Sequence, residues 1–194
     1  LILDEARQMK IAVLPVDVNK SDAVYKVEGN GIRLALSDIA GISDSEANNI
    51  VRAQPYLDLT DFVRRSGASL PVTEKLIMVG AFDAIHEINT KITRRDLLLH
   101  LADINRSPAS ALPGAQMTLG FKAPDLKPSG LPDLNLAEKV QTEIETLGME
   151  VTSHMLSFYG KFLNAIGAVK SSDLLKQRSG STVLVAGVKV ALQQ

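Results

Sequence analysis

The sequence predicts a mainly α protein: a helical domain built around a short helical hairpin, then a linker, then further helices leading into a terminal strand. Three observations carry this. Between Ile32 and Ala53, two apolar stretches flank the tight turn Ala40-Gly41-Ile42-Ser43, and the second repeats at helical spacing. Residues 107–133 lose periodicity and are rich in proline and glycine, which predicts an extended, flexible linker. Thr182 to Leu192, TVLVAGVKVAL, alternates and is β-branched, which predicts a strand.

Leu1 to Lys10 is amphipathic, with Ile2, Ala6 and Met9 on one side, and reads as a helix. Ile11-Ala12-Val13-Leu14 is a short strand stopped by Pro15, Val16 to Ser21 a connector, and Asp22 to Val27 a second strand before the turn Gly29-Asn30-Gly31. Asp17 has no partner acid nearby and reads as a turn-capping carboxylate rather than a catalytic one. In the hairpin, Leu34, Leu36 and Ile39 mark a first helix, and Ala47, Ile50 and Val51 a second. Ser43 is its N-cap, with Glu46 three residues on as the reciprocal partner of a capping box. Gly41 suits a turn that needs positive φ or a close approach to the backbone.

Pro55 breaks the chain, and Asp58 or Thr60 caps a helix through Asp61 to Arg65 that Gly67 stops. Pro71 to Val79 is the next helix, ended by Gly80, with Ala81 and Phe82 packing behind it and Phe82 a core anchor. Thr93 to Leu101 follows, carrying Arg94 and Arg95 in its first turn, where they either meet phosphate or form a solvated face. From Leu134 a helix presents Leu136, Val140, Ile144 and Leu147 in one stripe and closes at Gly148. Val151 to Ile166 and Ser171 to Gln177 give two more, the first ended by Gly167, the second capped by Ser171 or Ser172. Gly187 inside the last strand predicts a bulge or sharp bend of the kind small barrels use.

Composition excludes several functions. The chain has 194 residues, 45% hydrophobic and 22% charged, enough for a real core. No apolar run approaches the ~20 residues of a membrane span, and the opening carries acids where a signal peptide carries bases. No membrane partner is therefore expected, and the cytoplasm is the expected location. With no initiator Met and a final strand that stops abruptly, the chain reads as a piece of something longer. It has no cysteine, hence no disulfide, thiolate metal site or cysteine nucleophile, as suits a reducing compartment. Net charge is −1, evenly spread between the halves. That weighs against strong autonomous DNA affinity and suits a module that touches DNA while a larger body supplies the charge. His86, His100 and His154 are scattered without metal-ligand spacing and read as structural. No phosphate loop, zinc-protease helix or nucleophile elbow occurs, and the acids form no constellation for two metals. No catalytic residue, metal site or cofactor is expected in this stretch.

A helix, a G-h-x hairpin and a second helix resemble the helix-hairpin-helix, whose turn points backbone N–H groups and a helix N-terminus at a DNA phosphate without reading base sequence. The residues that would bind are Gly41, Ile42, Ser43 and Ala47, with Ser43 standing where a second glycine is usual. The other reading is a plain helical hairpin capped for stability. Within the linker, Gln116-Met117-Thr118-Leu119-Gly120-Phe121 is an apolar cluster in a polar segment. It either docks back on the core or offers anchors to a partner groove.

Taken in order, these segments resemble the bacterial C-family DNA polymerases, the DNA polymerase III alpha subunits and their error-prone paralogues, nearly end to end. Leu14-Pro15-Val16-Asp17-Val18-Asn19-Lys20-Ser21 resembles the LPPDVNxS stretch at the end of the fingers, with Val16 for a usual proline. Ile32 to Val51 is similar to the family's helix-hairpin-helix, and Val79-Gly80-Ala81-Phe82-Asp83 to the AGAFD signature. Glu145 to Met149 with His154 resembles the ExLGhxxxxH segment, with Met155 where proline is common, and Val183 to Val188 the first strand of an OB domain. The resemblance implies the end of the fingers over residues 1–30, a helix-hairpin-helix DNA-binding domain over 31–106, a clamp-binding linker over 107–133, and a helical lead-in with the start of an incomplete OB-fold barrel over 134–194. It makes Gln116 to Phe121 similar to the hexapeptide QhxLxF, with Gln116, Met117, Leu119 and Phe121 as anchors on a sliding clamp. It also implies that the catalytic aspartates and Mg²⁺ of this nucleotidyltransferase lie in a palm domain outside the matched segments. The implied partners are duplex DNA backbone, the sliding clamp and the rest of a replication or translesion polymerase. The rivals are a stand-alone hairpin module of a repair protein and a structural interaction domain.

Overall fold

The structure, a computed structural model, describes residues 2–88, 92–106 and 125–188. They fall into two compact units divided after Val151, so the helix after the linker belongs with the hairpin rather than with the C-terminal residues.

Helix α1 (Ile2–Gln8) leads into β1 (Ala12–Leu14), and β2 (Lys26–Glu28) turns through Gly29 and Asn30 into β3 (Gly31–Arg33). The sheet order is β1-β3-β2: β3 pairs parallel with β1, Val13 opposite Ile32, and antiparallel with β2, Val27 opposite Ile32. Ile32 and Arg33 are thus in a strand, not in the expected first helix of the hairpin. The cause is non-local. Leu34 N–H donates to Leu14 C=O at 3.0 Å and Leu36 N–H to Asp22 C=O at 2.9 Å, so donors that a helix needs are used across the sheet and its connector. All that remains of the first helix is a 3-10 turn, Leu36–Asp38.

The connector after Pro15 is a clasp. Asp17 Oδ1 accepts Asn19 N–H at 2.8 Å, the turn-capping role expected. Asn19 exchanges two hydrogen bonds with the Tyr56 backbone, at 2.9 and 2.7 Å, while Gln54 Nε2 donates to Val18 and Ser21 carbonyls. Val16 and Val18 are buried between these bonds. The clasp fixes the turn after the hairpin's second helix.

That helix, α2 (Asp44–Ala53), is followed by α3 (Leu59–Arg65), α4 (Leu70–Met78), the short α5 (Asp83–His86), which the sequence reading missed, and α6 (Arg94–Arg106), longer than expected. Asp58 caps α3 by accepting Asp61 N–H at 2.7 Å. Phe62 and Phe82 are fully buried edge-to-face at 5.0 Å, and Tyr56 meets Phe62 at 4.8 Å. Phe82 is therefore the anchor expected. Rings buried this way contribute about 2–3 kcal/mol each by area alone, with edge-to-face geometry adding to it.

Helix α7 (Leu136–Leu147) starts at Asn135, whose side chain and Glu138 form a second capping box. Val140 and Leu147 are buried as expected, but Leu136 is exposed, and Thr142, Glu143 and Thr146 are buried instead. The buried face is rotated: the Glu143 carboxylate is satisfied there by Val151 N–H at 2.7 Å, and the Thr146 backbone C=O accepts Ala40 N–H at 2.8 Å. Residues 125–133, expected as flexible linker, form no regular element but are held on α6. Ser129 N–H donates to Asp96 at 2.8 Å and Arg94 N–H to Asp133 at 3.0 Å.

In the second unit, a 3-10 turn at Met155–Tyr159 precedes α8 (Gly160–Ala165), splitting the single helix expected there. Ser171–Lys176 is a 3-10 helix preceded by Lys170, with no side-chain cap. Residues 182–188 form no strand. A strand needs a ladder partner, and the described residues of this unit contain none. Val169 N–H donates to Leu184 C=O at 2.8 Å.

Candidate nucleic-acid interface

The hairpin is held from both sides of one residue. Ala40 N–H is fixed by Thr146 C=O at the end of α7, and Lys75 Nζ on α4 donates to Ala40 C=O. Gly41 follows with φ +85°, which L side chains rarely adopt, and a Cβ there would lie 3.4 Å from Lys75 Nζ. Ile42 N–H closes the turn on Ile39 C=O at 3.0 Å, and its side chain packs against the core. Ser43 then caps α2: its hydroxyl accepts Glu46 N–H at 3.2 Å, and Glu46 returns the bond by accepting Ser43 N–H at 3.1 Å.

Of the four residues expected to bind DNA, Gly41 and Ser43 are exposed and Ile42 is half-buried. Ala47 is not available. It is 1% exposed, and its N–H donates to Ser43 C=O at 3.0 Å, so it seats α2 rather than facing solvent. The N–H groups of Ile42 and Ser43 are also in use. Those of Gly41, Asp44 and Ser45 make no hydrogen bond to another described residue and open at the positive end of α2. A phosphate oxygen fits such donors. Lys75 supplies a cation beside them that the sequence reading missed. Its distance along the chain from Gly41 hid it.

Local charge is mixed. Asp44 and Glu46 lie in the first turn of α2. Hydrogen bonds from the Ser69 and Ser43 N–H groups hold the Glu46 carboxyl down to about 2, so it is ionised at neutral pH.

The two arginines that were candidates for phosphate are used internally. Arg94 is buried; its guanidinium pairs with Asp83 at 2.6 Å and donates to Met78 C=O at 2.8 Å. It lies over Gly80, where φ is +87° and a Cβ would meet Arg94 Nη2 at 2.2 Å. The run Gly80-Ala81-Phe82-Asp83 is thereby explained as a seat for this arginine, with Ala81 and Phe82 in the core. Arg95 pairs with Glu138 at 2.9 Å.

The histidines are satisfied within the fold. His86 Nε2 accepts Leu59 N–H at 3.1 Å, His100 Nε2 lies 3.2 Å from the Thr60 hydroxyl, and His154 Nδ1 accepts Leu156 N–H at 3.1 Å. Burial lowers the pKa of both His86 and His100. Among the described residues no group of three or more histidines or acids is placed to hold a metal ion, and no helix is long and apolar enough to cross a membrane. The expected clamp anchors Gln116, Met117, Leu119 and Phe121 lie outside the described residues.

Comparison with known proteins agrees with the hairpin. The sequence model of the helix-hairpin-helix motif family matches residues 10–97. The error-prone DNA polymerase of Corynebacterium diphtheriae is 30% identical over 187 residues, covering 96% of this chain and 17% of that protein. The DNA polymerase III subunit alpha of Aquifex aeolicus is 32% identical over 170 residues (84% and 13%), and that of Bacillus subtilis 31% over 197 (96% and 17%). The chain spans less than a fifth of the length of each of these relatives. With its helix-hairpin-helix match and similarity over 84–96% of its own length, the chain is related by descent to a segment of the bacterial C-family DNA polymerases, the DNA polymerase III alpha subunits and error-prone DNA polymerases.

Proposed function

We propose that this chain is a DNA-handling and clamp-tethering segment of a DNA-directed DNA polymerase. Its hairpin holds backbone phosphate of the duplex, and Gln116 to Phe121 dock on a sliding clamp. The observation that supports the first part is the exposed, pinned turn at Gly41, whose N–H, like those of Asp44 and Ser45, is taken by no other described residue, with the Lys75 ammonium beside Gly41. Contacts of this kind position a duplex and carry no sequence information. With few phosphates engaged, affinity is weak and falls with a shallow salt slope, about −0.9 per phosphate neutralised.

Met117, Leu119 and Phe121 supply apolar anchors and Gln116 a polar one for a clamp groove, and tethering raises the effective concentration of polymerase at the primer end. The nucleotidyl transfer and its Mg²⁺ belong, on the family resemblance, to a palm domain; no step of it is assigned to residues here. A specific observation favours a second reading, a hairpin capped only for stability: Glu46 already fills Ser43 N–H.

Two titrations test the proposal. A labelled duplex of arbitrary sequence binds the chain with a salt slope of about −1 to −3, whereas no binding at about 20 mM salt rejects DNA handling. The sliding clamp binds the chain and not its Leu119→Ala, Phe121→Ala variant; equal binding by both removes the clamp role.

A further inference from the structure

Glu46 does more than cap its own helix. Its Oε2 accepts Ser43 N–H at 3.1 Å and the Ser43 hydroxyl at 2.9 Å, and its Oε1 accepts Ser69 N–H at 2.9 Å. Ser43 is the N-cap of α2 and Ser69 the N-cap of α4, whose own side chain leaves the α4 amides uncapped. A capping box needs only the first of these serines. Here the starts of two helices converge on one carboxylate, each presenting the positive end of its dipole. Donors so arranged receive phosphate as readily as carboxylate.

We propose that Glu46 is a resident negative charge held on the Ser43 and Ser69 amides beside the hairpin's phosphate donors, so that a DNA phosphate meets it and the contact is held weak by this chain's own side chain. This inference rests on the phosphate-binding reading above and names its regulation. The hairpin is balanced between two charges that the fold brings to it, Lys75 on the Ala40 carbonyl and Glu46 on the Ser43 amide. Asp44 is exposed in the same turn but hydrogen-bonds neither serine amide. Because the serine amides hold the Glu46 carboxyl down to about 2, the charge persists at every pH at which duplex DNA is stable.

The test is an anisotropy titration of a labelled duplex at low salt with the chain and with Glu46→Gln, Asp44→Asn and Gly41→Glu. Glu46→Gln keeps a carbonyl oxygen for the amides and removes the charge. It tightens binding about fivefold, the effect of one unit charge at ~4 Å in water, and Asp44→Asn by less than about twofold. No tightening by Glu46→Gln, or equal tightening by both, overturns the inference. If Gly41→Glu leaves affinity unchanged, the phosphate-binding reading has failed; if it weakens binding while Glu46→Gln has no effect, only the inference has. Urea midpoints accompany each titration. Should Glu46→Gln be poorly folded, Glu46→Ala, uncharged and a strong helix former, carries the same expectation.

Discussion

Alanine at position 80 would place a Cβ 2.2 Å from Arg94 Nη2, 2.6 Å from Arg94 Cζ and 2.8 Å from Asp83 Oδ2. The guanidinium is the far end of a flexible side chain and can retreat, so the steric clash itself is cheap. The cost is what Arg94 gives up. It loses Asp83 at 2.6 Å and Met78 C=O at 2.8 Å from a position where its side chain is 8% exposed. Breaking a buried pair costs about 3–5 kcal/mol; Asp83, 33% exposed, regains water and brings this to about 2–3. Holding a non-glycine residue at φ +87° adds about 1–2 kcal/mol. Gly80→Ala is therefore expected to lower unfolding free energy by about 3–5 kcal/mol, read as a shift of the urea midpoint at unchanged slope. In the Arg94→Met background the same change costs only the backbone part, about 1–2 kcal/mol, because the guanidinium it displaces is gone. A loss under about 1 kcal/mol in the natural background, or equal losses in both, refutes the account of Gly80 as the seat of Arg94.

Three further outcomes follow from the same geometry. Ser43→Ala removes the acceptor for Glu46 N–H and lowers stability by about 1 kcal/mol, measurable by urea unfolding; no change contradicts the capping box. Stability is expected to fall as pH drops below about 6.5: burial lowers the folded pKa of His86 and His100, so the unfolded chain binds more protons in the window between the two values. Substituting His86 with Gln shrinks that loss, as midpoints between pH 7.5 and 5 will show, and an unaltered profile speaks against it. Phe62→Ala, at the centre of the aromatic cluster, is expected to cost about 3–5 kcal/mol; a loss near 1 kcal/mol in urea or calorimetry rejects Phe62 as the ring that holds the cluster together.

The local devices were legible in the sequence. Ser43 with Glu46, Asp58 before α3, and the stops at Gly67, Gly80 and Gly148 were each read from short-range chemistry, and each lies where that chemistry puts it. What escaped was non-local. Arg33 is buried in a strand because Glu28 and Pro15 take its guanidinium, and nothing in the window around it says so. Arg94 looks like an exposed helix-start arginine until Asp83 and the bare backbone of Gly80 are brought beneath it. Lys75 reaches the hairpin from another helix, and Glu46 reaches Ser69 across 23 positions. The α7 stripe is rotated from the apolar pattern because Thr142, Glu143 and Thr146, polar by composition, are buried, Glu143 where Val151 N–H satisfies its carboxylate.

The central claim is that the Gly41 turn holds DNA phosphate. It is tested most directly by comparing duplex affinity of the chain with that of Lys75→Gln, a variant that changes no residue of the turn itself. The account predicts binding weakened about three- to tenfold, with the salt slope reduced by about 1. Unchanged affinity and an unchanged slope in a folded Lys75→Gln variant would contradict it.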